Sequence, residues 1–401
     1  MLRAVTGPLE RVALRFTDFA ERWIPDAYVF ALVATILVFV AGLLVGAPAA
    51  VLVRAWGDGF WELLSFTMQM SLVIITGYVV ASAGPVKRLI GWVAARARSP
   101  RGAVATVALF SMASSWLNWG FSLIFSAVLA REIARRSRGI DYRALAAASL
   151  LGLGSVWAQG LSGSAALQMA TPGALSPKIR AIVAAGGAVP DGIVGLRDTI
   201  FLWQSFVSVA VEIVVVTLVM WLATPVGDRA KDAQALGVAL PGDDDEPEAP
   251  RPTTPGERLE HAAWPLLAVV ALGGAYLVQV FTSGKGIAAL TLNAINLTLL
   301  LVGALLHRTP ARLMRAVREA TPATWGVILQ FPFYAGIAGM IATTKLNERI
   351  AGLFVSVSTA RTFPALMAAY SAVLGVFVPS GGGKWIIQNG WTRFATASPR
   401  S

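Results

Sequence analysis

The chain has 401 residues, of which 56% are hydrophobic and only 14% charged, with a mean hydropathy of +0.66. Soluble domains carry about 25% charged residues, so this balance excludes a soluble globular protein and points to a polytopic membrane protein. The formal net charge of +11 sits in short loops, where it reads as membrane orientation rather than nucleic-acid binding. With no Cys the chain has no disulfide or thiolate chemistry, and His261 and His307 alone leave little for a histidine metal site. No cofactor is expected.

In chain order, residues 1–26 form an amphipathic N-terminal segment, with Arg11, Arg15 and Arg22 opposite Val12, Leu14, Phe16 and Phe19. The first span is predicted over residues 27–46, followed by a loop with Trp56-Gly-Asp-Gly-Phe-Trp61, then a second span over 63–83. A basic loop with Lys87, Arg88, Arg96, Arg98 and Arg101 comes next. Residues 102–130 are long enough to span once, yet Arg131, Arg135, Arg136, Arg138 and Arg143 make the far flank basic too. If basic loops stay inside, this stretch enters and leaves on one side, as a re-entrant hairpin with Ser114, Ser115, Asn118 and Gly120 at its tip. A single ordinary span with a basic loop outside is the alternative.

A span over residues 144–159 runs into Gly160-Leu-Ser-Gly-Ser164 and Thr171-Pro-Gly173, which predict a broken helix. Another span covers 199–222 and completes a first transmembrane repeat, 27–222. Residues 223–262 are polar, rich in Pro and Gly, and carry Asp243-Asp-Asp-Glu246, the composition of a flexible cytoplasmic linker. Spans are predicted over 263–281, 287–306 and 321–342, with a basic loop holding Arg308, Arg312, Arg315 and Arg318 between the last two. An amphipathic segment then leads to a second hairpin, 362–390, and a basic tail, 391–401. The tip of this hairpin is Val378-Pro-Ser-Gly-Gly-Gly-Lys-Trp385.

The two tips align without a gap at a shift of 261, the difference between Gly381 and Gly120. The same shift places Gln69 on Gln330 and Arg88 on Arg349. A span that starts beside a basic N-terminus runs from inside to outside, whereas its partner at 287–306 ends at a basic loop and runs the other way. The fold expected is therefore all-α, with inverted repeats, two re-entrant hairpins and broken helices, and with a cytoplasmic N-terminus. Paired interruptions of this kind mark the binding site of a secondary transporter. Beyond Gly381 only 20 residues remain (401 − 381), so the second repeat, 263–390, is expected to be incomplete.

Several stretches resemble the short-chain fatty acid transporter family, within the ion transporter superfamily. They are Arg22-Trp-Ile-Pro-Asp26, Trp56-Gly-Asp-Gly-Phe-Trp61, Asn118-Trp-Gly-Phe121, Ala130-Arg-Glu-Ile-Ala-Arg-Arg136 and Ser162-Gly-Ser164 with Ala170-Thr-Pro-Gly173. Gln330-Phe-Pro-Phe-Tyr-Ala-Gly336, and Val378 to Trp385 with Ile387-Gln388, complete the set in order. The resemblance implies cation-coupled transport of acetoacetate- or butyrate-like carboxylates across the inner membrane, with Na+ or H+ as coupling ion, and often a homodimer. Three departures stand out: Lys384 where the family usually has His, Asn389-Gly390 where it has Gly-Pro, and the absence of its last spans. Another small carboxylate, of dicarboxylate or aminobenzoyl-glutamate type, or a non-transporting remnant are the other readings.

A small carboxylate needs hydrogen-bond donors, a local positive field and an apolar wall. Asn118, Trp119, Gly120, Ser380, Gly381, Gly382, Gly383 and Lys384 are the expected substrate residues, with backbone N–H groups at a helix start. Lys384 either pairs with substrate or snorkels to the interface. Ser162, Gly163, Ser164 and Thr171 are expected to hold a cation or the substrate on unwound backbone, or else simply to pack helices closely. Gln69, Gln330 and Gln388 are expected to support the hairpins. Glu212, inside a span, is a candidate proton carrier. Gly160-Leu-Ser-Gly163 resembles the motif of an intramembrane serine protease, but neither His lies where it would activate the serine. Gly381-Gly-Gly-Lys384 does not satisfy the phosphate-loop pattern.

Overall fold

The structure is a computed structural model. It describes residues 11–13, 15–17, 19–20, 22–97, 99–172, 174, 180–181, 183–184, 189–240, 252–284, 286–344, 346–359, 361–377, 381 and 384–385. Among these the helices in the first half are α1 (Ala27–Leu44), α2 (Ala49–Phe60), α3 (Leu64–Ala81), α4 (Gly84–Ala94), α5 (Pro100–Leu117), α6 (Trp119–Arg136), α7 (Tyr142–Gly154), α8 (Ser164–Ala170) and α9 (Trp203–Ala223). They continue as α10 (Pro255–His261), α11 (Trp264–Thr282), α12 (Leu292–His307), α13 (Pro310–Ala320), α14 (Trp325–Thr343), α15 (Leu346–Val357) and α16 (Phe363–Phe377). Among the described residues, six stretches are long and apolar enough to cross a bilayer: Ala27–Leu44, Leu64–Ala81, Tyr142–Ala170, Trp203–Ala223, Trp264–Thr282 and Pro310–Thr343. The chain is an all-α polytopic membrane protein. Its many exposed apolar side chains, such as Ile36, Leu37, Val214 and Leu272, are those a helix presents to lipid.

Five consecutive helices recur at the shift read from the sequence. Adding 261 to the bounds of α1 to α5 gives 288–305, 310–321, 325–342, 345–355 and 361–378. The helices found there are α12 to α16, with every bound within four residues of the expected one. Three of these elements correct the sequence reading. The Trp56 to Trp61 stretch, expected as a loop, lies almost wholly on α2, and the two basic loops contain α4 and α13. In each case glycines or arginines mask a helical stripe: Leu52, Ala55 and Gly59 are buried on α2, Ile90, Val93 and Ala94 on α4, and Ala316 and Ala320 on α13.

Contacts divide the chain into two units. The first comprises Met1–Ile24, Leu72–Gly163 and Arg197–Ala323. Here α5, α6 and α7 pack pairwise, α9 lies on α5, and α4 lies on α6. Met112, Phe125, Leu129, Ile133 and Leu145 fill the centre. Buried serines lace the three helices together. Ser111 Oγ donates to Ser149 O (2.9 Å) and accepts from Gly152 N (2.9 Å), Ser115 Oγ donates to Gly152 O (2.8 Å), and Ser122 Oγ to Ser111 O (2.7 Å). Small hydroxyl residues let membrane helices approach closely and bond across the interface.

At the base of this bundle Asp141 caps α7. Arg143 reaches its carboxylate at 2.6 Å, and the backbone N–H groups of Lys231 and Ala144 donate to it at 3.0 Å each. Burial pushes this carboxyl up, but the Arg143, Lys231 and Ala144 bonds more than offset it, leaving the group below the ordinary aspartate range. Tyr142 N donates in turn to Lys231 O (2.8 Å), and Ala233 is buried. The first part of the stretch expected as a flexible linker is thus pinned to the bundle, because Asp141 and the 141–142 backbone supply partners that composition does not reveal. The described residues between 11 and 23 are helical, with Phe16, Phe19 and Trp23 exposed.

The second unit comprises Pro25–Ser71, Ser164–Leu196 and Thr324–Ser401. Its centre is α14 packed on α2 and α1. A Cβ on Gly59 would sit 3.0 Å from Ala335 O, one on Gly336 2.7 Å from the Trp56 ring, and one on Gly339 would strike Ala55 O. The crossing therefore needs glycine on both helices. Around it Phe333 meets Tyr28, Trp56 and Phe60 with ring centroids 5.3 to 6.1 Å apart, and Phe66 stacks on Phe331 at 5.5 Å.

Candidate functional site

The break between α5 and α6 is one residue wide. Asn118 is extended (φ −156°, ψ 119°) between two 18-residue helices, so the chain reverses there. Ser111 bonds Ser122 across the turn and Phe110 stacks on Phe125 at 6.0 Å, the pairing of an antiparallel hairpin rather than one straight helix. Asn118 closes both helices. Its N–H donates to Ser114 O (3.0 Å), and its Oδ1 accepts from Phe121 N (2.7 Å) as an N-cap. The side chain is 2% exposed, yet its Nδ2 has no partner among the described residues. Such a donor carries a desolvation penalty that a bound acceptor would relieve.

Glycines admit neighbouring backbone to this tip. A Cβ on Gly120 would lie 2.7 Å from Val73 O, and one on Gly77 would strike Phe121 N and come 2.7 Å from Asn118 Oδ1. The other wall is the break after α7. Ser155 leaves the helix at φ −137°, ψ −83°, a single 3-10 turn covers Val156–Gln159, and residues 160–163 form a turn. This turn is stitched to the hairpin: Leu161 N donates to Trp116 O (2.7 Å), and Trp119 N donates to Ser162 Oγ (2.9 Å). Gly160 is forced by the same approach, since a Cβ there would meet Trp116 Cα at 2.7 Å. Ser162 is fully buried.

Of the expected site residues, Trp119 is brought against Ser162 through its backbone N–H, Asn118 and Gly120 flank it in the chain, and Gly163 N donates to Gly160 O at 2.9 Å to close that turn. The Trp119 ring is half-buried, with its indole N–H unpartnered among the described residues. Ser164 opens α8 and Thr171 follows it, both buried in the second unit. In that unit Gln69 is half-buried on α3, while Gln330 accepts from Tyr334 OH (3.3 Å) one turn along its own helix. Gly381, Lys384 and Trp385 are helical and half-buried, and Trp385 packs on Met169. Lys384 Nζ lies 3.1 Å from where a Cβ on Gly375 would be, so its stem folds back along α16. Ser380, Gly382, Gly383 and Gln388 lie outside the described residues.

Two features escaped the sequence reading. Gln168, on α8, is 0% exposed, and neither its Nε2 nor its Oε1 has a partner among the described residues. A lone amide in a seven-residue helix that is apolar after its opening Ser164, within a span broken by Gly and Ser, is the available signal. Glu212 is not solitary: Gln159 Nε2, in the 3-10 turn, donates to its Oε2 at 2.6 Å. No group of three or more potential metal ligands of His, Cys, Asp or Glu type occurs among the described residues.

A family model described as "Short chain fatty acid transporter" matches residues 8–398. A relative from Escherichia coli (strain K12), named "putative short-chain fatty acid transporter", is 38% identical over 383 residues, covering 94% of this chain and 83% of the relative. One of the same name from Haemophilus influenzae (strain ATCC 51907) is 33% identical over 382 residues, covering 95% of this chain and 83% of the relative. No solved structure matches the chain at a significant level.

Proposed function

The chain belongs to the short-chain fatty acid transporter family, and from that premise we propose that it carries small monocarboxylates of the acetoacetate and butyrate class across the inner membrane. The family is one of transporters, not enzymes. Movement is by alternating access, coupled to a Na+ or H+ gradient, with the N-terminus in the cytoplasm and two copies forming the working dimer. The hairpin of α5 and α6 enters the bilayer without crossing it, as its two basic flanks argue.

One observation carries this reading: the buried, unpartnered amide of Asn118 lies at a helix break whose next residue, Trp119, is bonded through its backbone N–H to Ser162 on a second break. In hydrocarbon an unsatisfied donor is costly, so irregular backbone at that depth is kept where it serves a ligand or a wet cavity. A carboxylate placed there accepts from Asn118 Nδ2, while the half-buried Trp119 ring offers a wall for the aliphatic tail. Ser162, whose Oγ already accepts from Trp119 N, fixes the tip so that the amide is positioned before substrate arrives.

The test is uptake of labelled butyrate and acetoacetate into vesicles holding the chain, with and without a sodium gradient, beside Asn118→Ala. The expected result is saturable uptake that the gradient drives and Asn118→Ala reduces at least tenfold, on the order of 1.4 kcal/mol. Uptake that ignores Asn118 refutes the site. Uptake of C4 dicarboxylates in place of monocarboxylates refutes the substrate class.

A further inference from the structure

We infer that the first unit carries a binding site for the phosphate headgroup of an anionic phospholipid, separate from the hairpin tip. A cavity of about 760 Å³ is bordered by Lys87, Arg88, Arg308, Arg312 and Arg315, with Glu319 the one carboxylate among the described residues on its wall. That carboxylate is already engaged, since Tyr78 OH donates to it at 3.2 Å. Among the described residues no salt bridge reaches Arg88, Arg308, Arg312 or Arg315, all of which are exposed. Five cations from three segments therefore converge on one hollow with an excess of positive charge.

The depth of the cavity argues for lipid. The apolar helices α3 and α12 both end at its rim, at Ala81 and His307, and α11 begins at Trp264, just past the rim residue His261. Trp264 is exposed, as a side chain at the interface is. Helix ends define the headgroup level of a membrane protein, and basic pockets between helices at that level hold anionic headgroups. Packing at the rim is specific: His307 Nε2 is 2.8 Å from Val79 O, and α10 packs on α13 to close one side.

The backbone supplies a further sign. Arg308 has φ +66°, the one left-handed non-glycine residue among those described. It terminates α12, where glycine or asparagine ordinarily takes that conformation. Arginine is strained there, and strain of this kind is kept where the side chain serves a purpose. Orientation by positive charge needs only cations somewhere in the loop; it requires neither their convergence on a cavity nor an arginine at a glycine position.

The experiment uses the full-length chain, purified in neutral detergent, and native mass spectrometry of lipid adducts. Cardiolipin, phosphatidylglycerol and phosphatidylcholine are compared, with inorganic phosphate competing in a separate arm. The variants are Arg308→Gly, Arg315→Gln and Arg318→Gln, the last removing a charge from the same helix but outside the cavity wall. The site predicts preferential retention of the anionic lipids, reduced roughly fivefold by Arg315→Gln or Arg308→Gly and left unchanged by Arg318→Gln. Arg308→Gly separates binding from folding, because glycine suits the left-handed position and keeps or raises the melting temperature while binding falls. Equal loss in Arg315→Gln and Arg318→Gln, or no preference for anionic lipid, overturns the site. Phosphate retained and lipid ignored, with the same dependence on Arg315, overturns the lipid occupant and transfers the phosphate site to a soluble ligand.

Discussion

Two helix junctions in this chain solve close packing with different chemistry. The crossing of α2 and α14 removes side chains: Gly59, Gly336 and Gly339 bring backbone against backbone, and aromatic rings seal the surroundings. The junction of α5, α6 and α7 instead spends serine hydroxyls on facing carbonyls, and does so up to the point where both α5 and α7 break. The glycine crossing leaves one buried polar atom without a partner among the described residues, the indole N–H of Trp56. The serine-laced junction leaves three, Ser126 Oγ, the Asn118 amide and the Trp119 indole N–H, and the last two are adjacent at the break. In an apolar fold chemistry is to be sought where unpartnered polar atoms gather at a break, not where a single one is sealed by rings.

The largest expected effect comes from filling either close approach. Gly160→Val and Gly339→Val each drive a side chain into fixed backbone, Trp116 in one case and Ala55 in the other. Overpacking of this kind costs about 1–3 kcal/mol and sometimes more, and both variants should show lower melting temperature and lower yield of folded protein. Next is Asn118→Ser. Serine keeps an N-cap acceptor for Phe121 but loses the amide donor that faces the substrate carboxylate. Uptake should fall by at least about tenfold while melting changes little. If uptake and melting fall together, the tip is structural like the glycine crossing.

Ser115→Ala is expected to act in the opposite sense. It removes one hydrogen bond to Gly152 O, worth about 1 kcal/mol, without touching the tip, so stability should drop slightly and substrate affinity should hold. The smallest effect is at the base of the bundle. The folded-state carboxyl of Asp141 is held below its unfolded value of 3.8, so its stabilisation is fully present above that pH and is lost as pH falls through the lower folded value. Asp141→Asn should flatten the decline of melting temperature on acidification below that pH and leave the profile near neutrality parallel to the parent.

Sequence patterning carried the long elements well, because 18 or more apolar residues leave few alternatives to a membrane helix. The breaks at Asn118 and from Gly160 were legible for a related reason: polar, glycine-containing interruptions are anomalous in such company, although α7 already ends at Gly154 where the span was expected to reach residue 159. The short helices α2, α4 and α13 were not, since Trp56-Gly-Asp-Gly and the arginine runs dominate local composition while only three or fewer buried residues per helix mark the inward stripe. Ser115 was read as part of the hairpin tip and instead belongs to the serine ladder, one turn short of it. Gln168 went unseen because burial without a partner is a property of the folded chain, not of its spacing.

Whether the Asn118 tip meets the substrate can be measured directly, because the chain contains no cysteine. Trp119→Cys places a single thiol beside that amide, to be labelled with a membrane-permeant maleimide in transport-competent vesicles. Saturating butyrate or acetoacetate is expected to slow labelling at least about tenfold, while a dicarboxylate does not. Labelling at an unchanged rate in a variant that still takes up butyrate would show that the substrate passes elsewhere.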